Sequence, residues 1–279
     1  PYPEPVPYAV VPDPDHRQIL ITLYGVKTSS TWVQHRSGLR FVDKLTWRQT
    51  TPETYQIAVH LKTDQIWGYD LKREGRALVL RLPHPPTVGN EDGSLPLAGL
   101  KIAIEAGHGG SSTGAVGLSG LLEKDVNLDV ALKLGQMCRA NGIEVFQLRV
   151  ADRGIPYMAR RDSAEASGAH LLVSIHANAG GTSRGYLGAE GASTYYHNPF
   201  WAGFARDVCD RLLEIGLGEF GVVGSFNYRN TRISSRPAIL VEQAFATHAE
   251  DEERLASDEF RTRIAAQIYA GIVEFATGR

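Results

Sequence analysis

Residues 100–127, LKIAIEAGHGGSSTGAVGLSGLLEKDVN, decide the fold of the larger part of this chain. They open with an apolar run of strand length, LKIAIE, and pass directly into the glycine-rich AGHGG. From Glu123 to Ala140, Val126, Val130, Leu134 and Met137 recur at spacings of three and four, which gives a helix one apolar face. Asn141-Gly142 supplies the stop, and IEVFQL reads as the next strand. The alternation continues with a helix around 156–167, the buried-strand pattern HLLVSIHAN, the run ASTYYH, a helix from about 199 to 215, the strand AILVEQA and a helix from about 257 to 276. This order predicts an α/β domain: a mixed, mainly parallel sheet with helices on both faces.

Upstream the period changes. QILITLY, STWVQ, FVDKLTW, TYQIAVHL, IWGYDLK and RALVLRL are short runs rich in β-branched and aromatic residues, separated by turn signals such as Ser37-Gly38 and Glu74-Gly75. They predict a small antiparallel sandwich or barrel. The stretch PHPPTVGNEDGSLPLAG, residues 83–99, has the Pro, Gly and acidic content of a linker. The expected organisation is a Pro-rich N-terminal segment over 1–15, an all-β domain over 16–83, a linker over 84–99 and an α/β domain over 100–279.

With 43% hydrophobic and 22% charged residues among 279, the chain has the composition of a globular protein. A net charge of −2 leaves no basic surplus to neutralise phosphates, which argues against nucleic acid as a partner and against adsorption to an anionic membrane. No apolar run reaches the 18 residues a membrane span needs. The sequence starts at Pro1 with neither an initiator Met nor a signal peptide, which fits a mature or trimmed export product without being specific to one. Cys138 and Cys209 both fall in helix-patterned segments; they could form one disulfide, but two free, buried thiols are the favoured reading.

Ligands of open α/β sheets bind at the carboxyl ends of the strands. Three predicted strands end in suitable groups: LKIAIE runs into His108, HLLVSI into His176 and Asn178, and AILV into Glu242. Glu123 opens the helix after the glycine loop. Two imidazoles and one carboxylate form a known ligand set for catalytic zinc, leaving the second carboxylate as a general base. Each residue also has a plainer reading. A strand-end His is often a satisfied polar group, and an acidic residue suits the first turn of any helix. Glu242 resists dismissal, because a carboxylate after AILV is costly to bury unless it is paired or bound to metal. A phosphate-binding loop fits less well: GHGGSS breaks the G-x-G-x-x-G order and lacks a G-K-[ST] ending.

The string IAIEAGHGGSSTGAVGLSGLLEKDVNL, followed by SIHANA and RPAILVEQAF, resembles the zinc-dependent N-acetylmuramoyl-L-alanine amidases of the amidase_3 type over about residues 100 to 277. The resemblance implies that His108, Glu123 and His176 bind zinc and that Glu242 is the catalytic base. It also implies the lactyl–L-alanine amide of peptidoglycan as substrate and a bacterial cell-envelope location, periplasmic or secreted. A monomer is expected. The chain departs from the family where Glu105-Ala106 replaces the usual Asp-Pro and where Ser112 stands at a common Asp position. If those Asp residues support the zinc ligands, metal affinity is altered, and Glu105 is expected to substitute with one methylene more.

Asn178 is a further candidate for binding substrate or supporting a ligand. Arg232 and Arg236 are weighed as partners of stem-peptide carboxylates against the plainer reading of solvated surface positions. The stretch from Gly180 to Arg236 leaves little room for the inhibitory helix that some relatives insert, so an open site is expected. The N-terminal strands weakly resemble AMIN-type wall-targeting domains, and a generic β module that stabilises the catalytic domain is the equal alternative. Trp32, Trp47 and Trp67 form either a sugar-stacking surface or part of that domain's core. Two rival functions stay open: a zinc carboxypeptidase-like peptidase, and a catalytically inactive wall-binding regulator. The lack of a G-x-S-x-G elbow and of a Cys in a strand-end loop argues against a Ser or Cys hydrolase.

Overall fold

The computed structural model describes residues 6–28, 38–180 and 188–278. It divides into two compact units, residues 1–85 and 86–279.

In the N-terminal unit, β1 (Tyr8–Asp13), β2 (Gln18–Tyr24), β3 (Val42–Thr51) and β4 (Thr54–Leu61) form an antiparallel sheet in the order β1-β2-β4-β3, and β5 (Asp70–Glu74) pairs with β6 (Ala77–Arg81) as a separate hairpin. Alternation sorts the residues: Ile19, Ile21 and Leu23 of β2 and Tyr55, Val59 and Leu61 of β4 are buried, with polar neighbours between them. Strand β1 lies inside the segment expected to be a Pro-rich tail. Its Pro12 is tolerated because β1 is an edge strand and needs no donor on its outer side. The strand expected over 30–34, and Trp32 within it, lie outside the described residues. Trp67 is 6% exposed and belongs to the core, so it contributes to no sugar-stacking surface.

The second unit is built on a six-stranded sheet in the order β11-β10-β12-β9-β7-β8. The strands are β7 (Lys101–Ala106), β8 (Glu144–Gln147), β9 (Leu171–Asn178), β10 (Ala192–Tyr196), β11 (Glu219–Val223) and β12 (Ala238–Phe245). All pairings are parallel except β10 with β12. The mixed, mainly parallel sheet expected from the alternation is present. Residues expected to be a linker fold back on this unit: Leu97 is fully buried, and the Gly99 amide donates to the Gly142 carbonyl at 3.1 Å.

Helix α1 (Glu123–Ala140) buries Val126, Val130 and Leu134 as its spacing predicts, with Cys138 rather than Met137 completing the stripe. Helix α2 is Tyr157–Ala166, α3 is Ala202–Leu213, and α5 is Asp258–Thr277, capped by the Ser257 side chain on the Phe260 amide and ended by Gly278 in the left-handed region. Helix α4 (Ala249–Ala256) is not signalled by apolar periodicity, since its only large apolar residue is Leu255. Four acidic residues near its start suit a helix N-terminus instead. Cys138 and Cys209 are both buried and free.

Candidate metal centre and cleft

The ends of β7, β9 and β12 and the first turn of α1 bring four of the sequence-predicted residues to one cleft of about 840 Å³. His108, Glu123 and His176 each offer a ligand atom within 4.8 Å of the others, the one such group of three among the described residues. Glu123 sits between the two imidazoles. Its Oε1 lies 3.2 Å from His108 Nε2 and 3.1 Å from His176 Nδ1. The same oxygen accepts from Asn127 Nδ2 at 3.0 Å, and Oε2 accepts from the Ala115 amide at 2.7 Å. Burial alone would raise the Glu123 pKa; hydrogen bonds from both histidines and from Ala115 instead hold it far below the usual carboxylate range.

Each histidine is fixed through its other nitrogen. His176 Nε2 faces Glu105 Oε2 at 3.5 Å, and His108 Nδ1 meets Ser112 Oγ at 3.0 Å. A metal-bound imidazole needs an acceptor on its outer nitrogen to settle tautomer and orientation. Glu105 and Ser112 fill those places. The donor set, the common focus and the outer partners together fit a divalent metal ion.

Glu105 is fully buried, yet its pKa is about 2: burial opposes this, and His176, Arg160 and Ser174 overcome it. Arg160 of α2 bonds to Glu105 and also donates to the carbonyls of Ala106 (3.1 Å) and His108 (2.6 Å). Ser174 donates to Glu105 from the neighbouring strand, and Asn230 Nδ2 donates to its Oε2 at 3.1 Å. His176 is charged when no metal competes for its lone pair. Burial lowers its pKa, but bonds to Glu105 and Glu123 carry it to about 10.

The glycine loop serves close packing. A Cβ at Gly107 would collide with the His176 ring, and one at Gly114 with the Glu123 carboxylate and the His108 ring. His108 itself has φ 61°, a left-handed backbone that costs a non-glycine residue energy. Arg160 on its carbonyl offsets part of this, and buried Arg149 holds the Ala106 and Gly107 carbonyls at 3.0 and 2.8 Å.

Glu242 lies on β12 in register with His176 of β9 and is 7% exposed. Its Oε2 is buried without a hydrogen-bond partner among the described residues. Burial pushes its pKa up to about 7, with His176 pulling it down and Glu123 pushing it further up. A carboxyl that both takes and gives a proton near neutrality is what general acid–base chemistry uses.

Asn178 also lines the cleft, but its Oδ1 accepts from the adjacent Ala179 amide, and its side chain makes no hydrogen bond to His108, Glu123 or His176 among the described residues. Arg232 is exposed. Arg236 is not a solvated surface residue: its guanidinium caps the end of α2, donating to the carbonyls of Ala164, Ala169 and Glu165. Between Asn178 and Ala238 the described elements are β10, α3, β11 and short 3-10 turns at Pro199–Trp201 and Arg229–Thr231; residues 181–187 lie outside the described part. Sequence reasoning missed Arg160, Ser174 and Asn230, and also Tyr157, Tyr228 and Arg229 on the cleft wall. One signal existed for Arg160: it shares the buried stripe of α2 with Ala164 at a spacing of four.

The sequence profile of the N-acetylmuramoyl-L-alanine amidases matches residues 102–274. Among curated relatives, LytC of Bacillus subtilis, an N-acetylmuramoyl-L-alanine amidase, is 32% identical over 185 residues, covering 64% of this chain and 36% of LytC. AmiA of Escherichia coli, another such amidase, is 28% identical over 217 residues, covering 62% of this chain and 75% of AmiA. The solved amidase AmiC2 of Nostoc punctiforme superposes with a TM-score of 0.60 at 34% identity, covering 64% of this chain and 98% of that one. The catalytic domain of CwlV from Bacillus (Paenibacillus) polymyxa gives 0.58 at 31%, covering 64% and 99%. With the profile spanning the whole α/β sheet, the chain belongs to the N-acetylmuramoyl-L-alanine amidase family.

Proposed function

We propose that the protein hydrolyses the amide between the lactyl group of N-acetylmuramic acid and the L-alanine of the peptidoglycan stem peptide, using zinc held by His108, Glu123 and His176 and Glu242 as general base. The observation that carries this reading is the convergence of the three ligand atoms within 4.8 Å beside a buried, unpartnered carboxylate whose pKa is about 7. Two imidazoles and a carboxylate are a donor set that suits catalytic zinc, and a zinc held there would supply acidification of water and polarisation of the substrate's carbonyl oxygen.

The chain's own residues do the rest. Glu242, ionised at neutral pH in a good fraction of molecules, takes the proton of the attacking water and returns it to the departing alanine nitrogen. Glu105 and Ser112 orient the imidazoles so that His176 presents Nδ1 and His108 presents Nε2. Asn127 and the Ala115 amide keep Glu123 ionised and in place.

The substrate places the enzyme in the bacterial envelope or outside the cell. Among the described residues no helix is long and apolar enough to cross a membrane. All four chemical groups come from one chain, so a monomer suffices. The N-terminal β unit is read as a wall-targeting module.

Digestion of purified sacculi by the wild type and by Glu242→Ala, each with its metal content measured, tests the reading. Bound zinc in both proteins is expected, with new L-alanine amines, unchanged glycan length and activity in the wild type alone. Release of free amino acids from stem-peptide ends would favour the peptidase, and sacculi left intact by the zinc-loaded wild type would favour the regulator.

A further inference from the structure

Tyr157, Tyr228 and Arg229 line the same cleft as the metal group, and the proposed chemistry gives them no task. Arg229 opens the 3-10 turn Arg229–Thr231, whose next residue, Asn230, is tied to Glu105 at 3.1 Å and to Ser174 at 3.3 Å. The turn is therefore fastened to the carboxylate that orients His176. The Arg229 amide meets the Tyr157 hydroxyl at 3.3 Å, and its guanidinium carbon lies 6.0 Å from the Tyr157 ring centre, at the edge of cation–π range.

The Arg229 guanidinium pairs with no carboxylate among the described residues, and its Nε is buried without a partner. Arg160, the other arginine lining the cleft, is fully engaged with Glu105 and two carbonyls. Arg229 is half-buried, and its terminal nitrogens bond to no side chain or carbonyl among the described residues, so they are the donors open to a ligand oxygen. The planar fork of arginine matches a carboxylate. With the two imidazoles assigned to the metal and the scissile amide, and Arg160 paired with Glu105, Arg229 is the cationic side chain of the lining left to meet a ligand's free anionic group.

In the substrate of the proposed reaction, the carboxyl of the lactyl group is consumed in the scissile amide, whereas the stem peptide carries free carboxylates. We propose that Arg229, stacked near Tyr157 and flanked by Tyr228, is the subsite for a free carboxylate of the stem peptide and makes the enzyme discriminate against amidated stems. This inference rests on the amidase reading above.

The test measures kcat and KM for liberation of L-alanine amines from two substrates: native sacculi, and the same sacculi with stem-peptide carboxyls converted to carboxamides. Zinc-loaded wild type, Arg229→Gln and Arg229→Lys are compared. A charge-assisted bond predicts that the wild type favours native sacculi by about 10- to 100-fold in kcat/KM, mainly through KM. Arg229→Gln loses that preference by slowing on native sacculi while keeping its rate on amidated ones, and Arg229→Lys restores part of it. Equal losses on both substrates, or an unchanged preference in Arg229→Gln, overturns the subsite and leaves the amidase standing. A wild type that cleaves neither substrate overturns the amidase reading and the subsite with it.

Discussion

His108 and His176 face each other edge-to-face, ring centres 5.2 Å apart, and approach the same oxygen of Glu123 through opposite ring nitrogens, Nε2 from the first and Nδ1 from the second. This asymmetry follows from the outer partners. Ser112 occupies Nδ1 of His108, and Glu105 occupies Nε2 of His176. The two partners are unequal: a buried carboxylate backs one imidazole, and a neutral hydroxyl backs the other.

Removing the carboxylate beneath His176 should weaken the metal more than removing the hydroxyl beside His108. Glu105→Gln keeps the shape of the side chain but not its charge, and a loss of such an outer partner costs roughly 10–100-fold in metal affinity. Ser112→Ala should cost less, and Ser112→Asp should tighten binding by giving His108 a carboxylate of its own. Competition with a chromophoric zinc chelator reads all three. Equal affinity in Glu105→Gln and wild type would show that Glu105 does not support the site.

Gly107→Ala places a methyl group against three atoms of the His176 ring. The ring has little freedom to retreat, since Glu105 and Glu123 hold it on both sides. The expected result is a stability loss of about 1–3 kcal/mol, typical of overpacking, with zinc content and amidase activity lost well before the fold. Circular dichroism, metal analysis and sacculus digestion on one preparation separate these effects. A variant that retains full zinc and activity would contradict the close approach.

Arg160→Met should be among the most destabilising single changes in the α/β unit. It strips a counter-ion from fully buried Glu105, leaves the carbonyl of His108 without its donor, and takes from the Ala106 carbonyl one of its two donors, Arg149 remaining as the other. Breaking one side of a buried ion pair costs about 3–5 kcal/mol. Adding Glu105→Gln should recover part of the loss, because the orphaned charge is gone. Urea unfolding of the two single variants and the double variant gives the coupling, and strict additivity would argue that the pair is not linked.

Legibility in the sequence follows a physical division. His108, His176 and Glu242 were visible because each terminates or interrupts a run of apolar strand residues, where a polar group must be explained. The order of elements was visible for the same reason: burial imposes a period. Strand β1 was hidden by its Pro12 and the prolines that flank it, the former of which an edge strand tolerates, and α4 by an acidic stretch with a single large apolar residue. The supports of Glu105 were hidden because Arg160, Ser174 and Asn230 come from three elements and meet only through the topology. Arg236 was misread as a surface residue because nothing local announces that its guanidinium closes the end of α2.

Asp207 of α3 makes stability fall as pH rises through the weakly acidic range. Burial pushes its pKa from 3.8 to about 6, Glu274 and Asp210 add to the push, and Arg211 opposes it. Below about pH 4 the carboxyl is protonated in both the folded and the unfolded chain and contributes nothing. Between about pH 4 and 6 the unfolded chain gives up its proton first, so folding must hold on to a proton the solvent would take, and stability declines. Above pH 6 the carboxylate is ionised in both states and the full penalty persists. The whole shift corresponds to about 3 kcal/mol, which partial solvation of the side chain reduces to roughly 1–2 kcal/mol. Asp207→Asn should therefore raise stability by that amount at pH 7.5 and change it little at pH 4. Thermal melts of both proteins across this range decide the matter: a gain of equal size at both pH values would assign the effect to packing instead of charge.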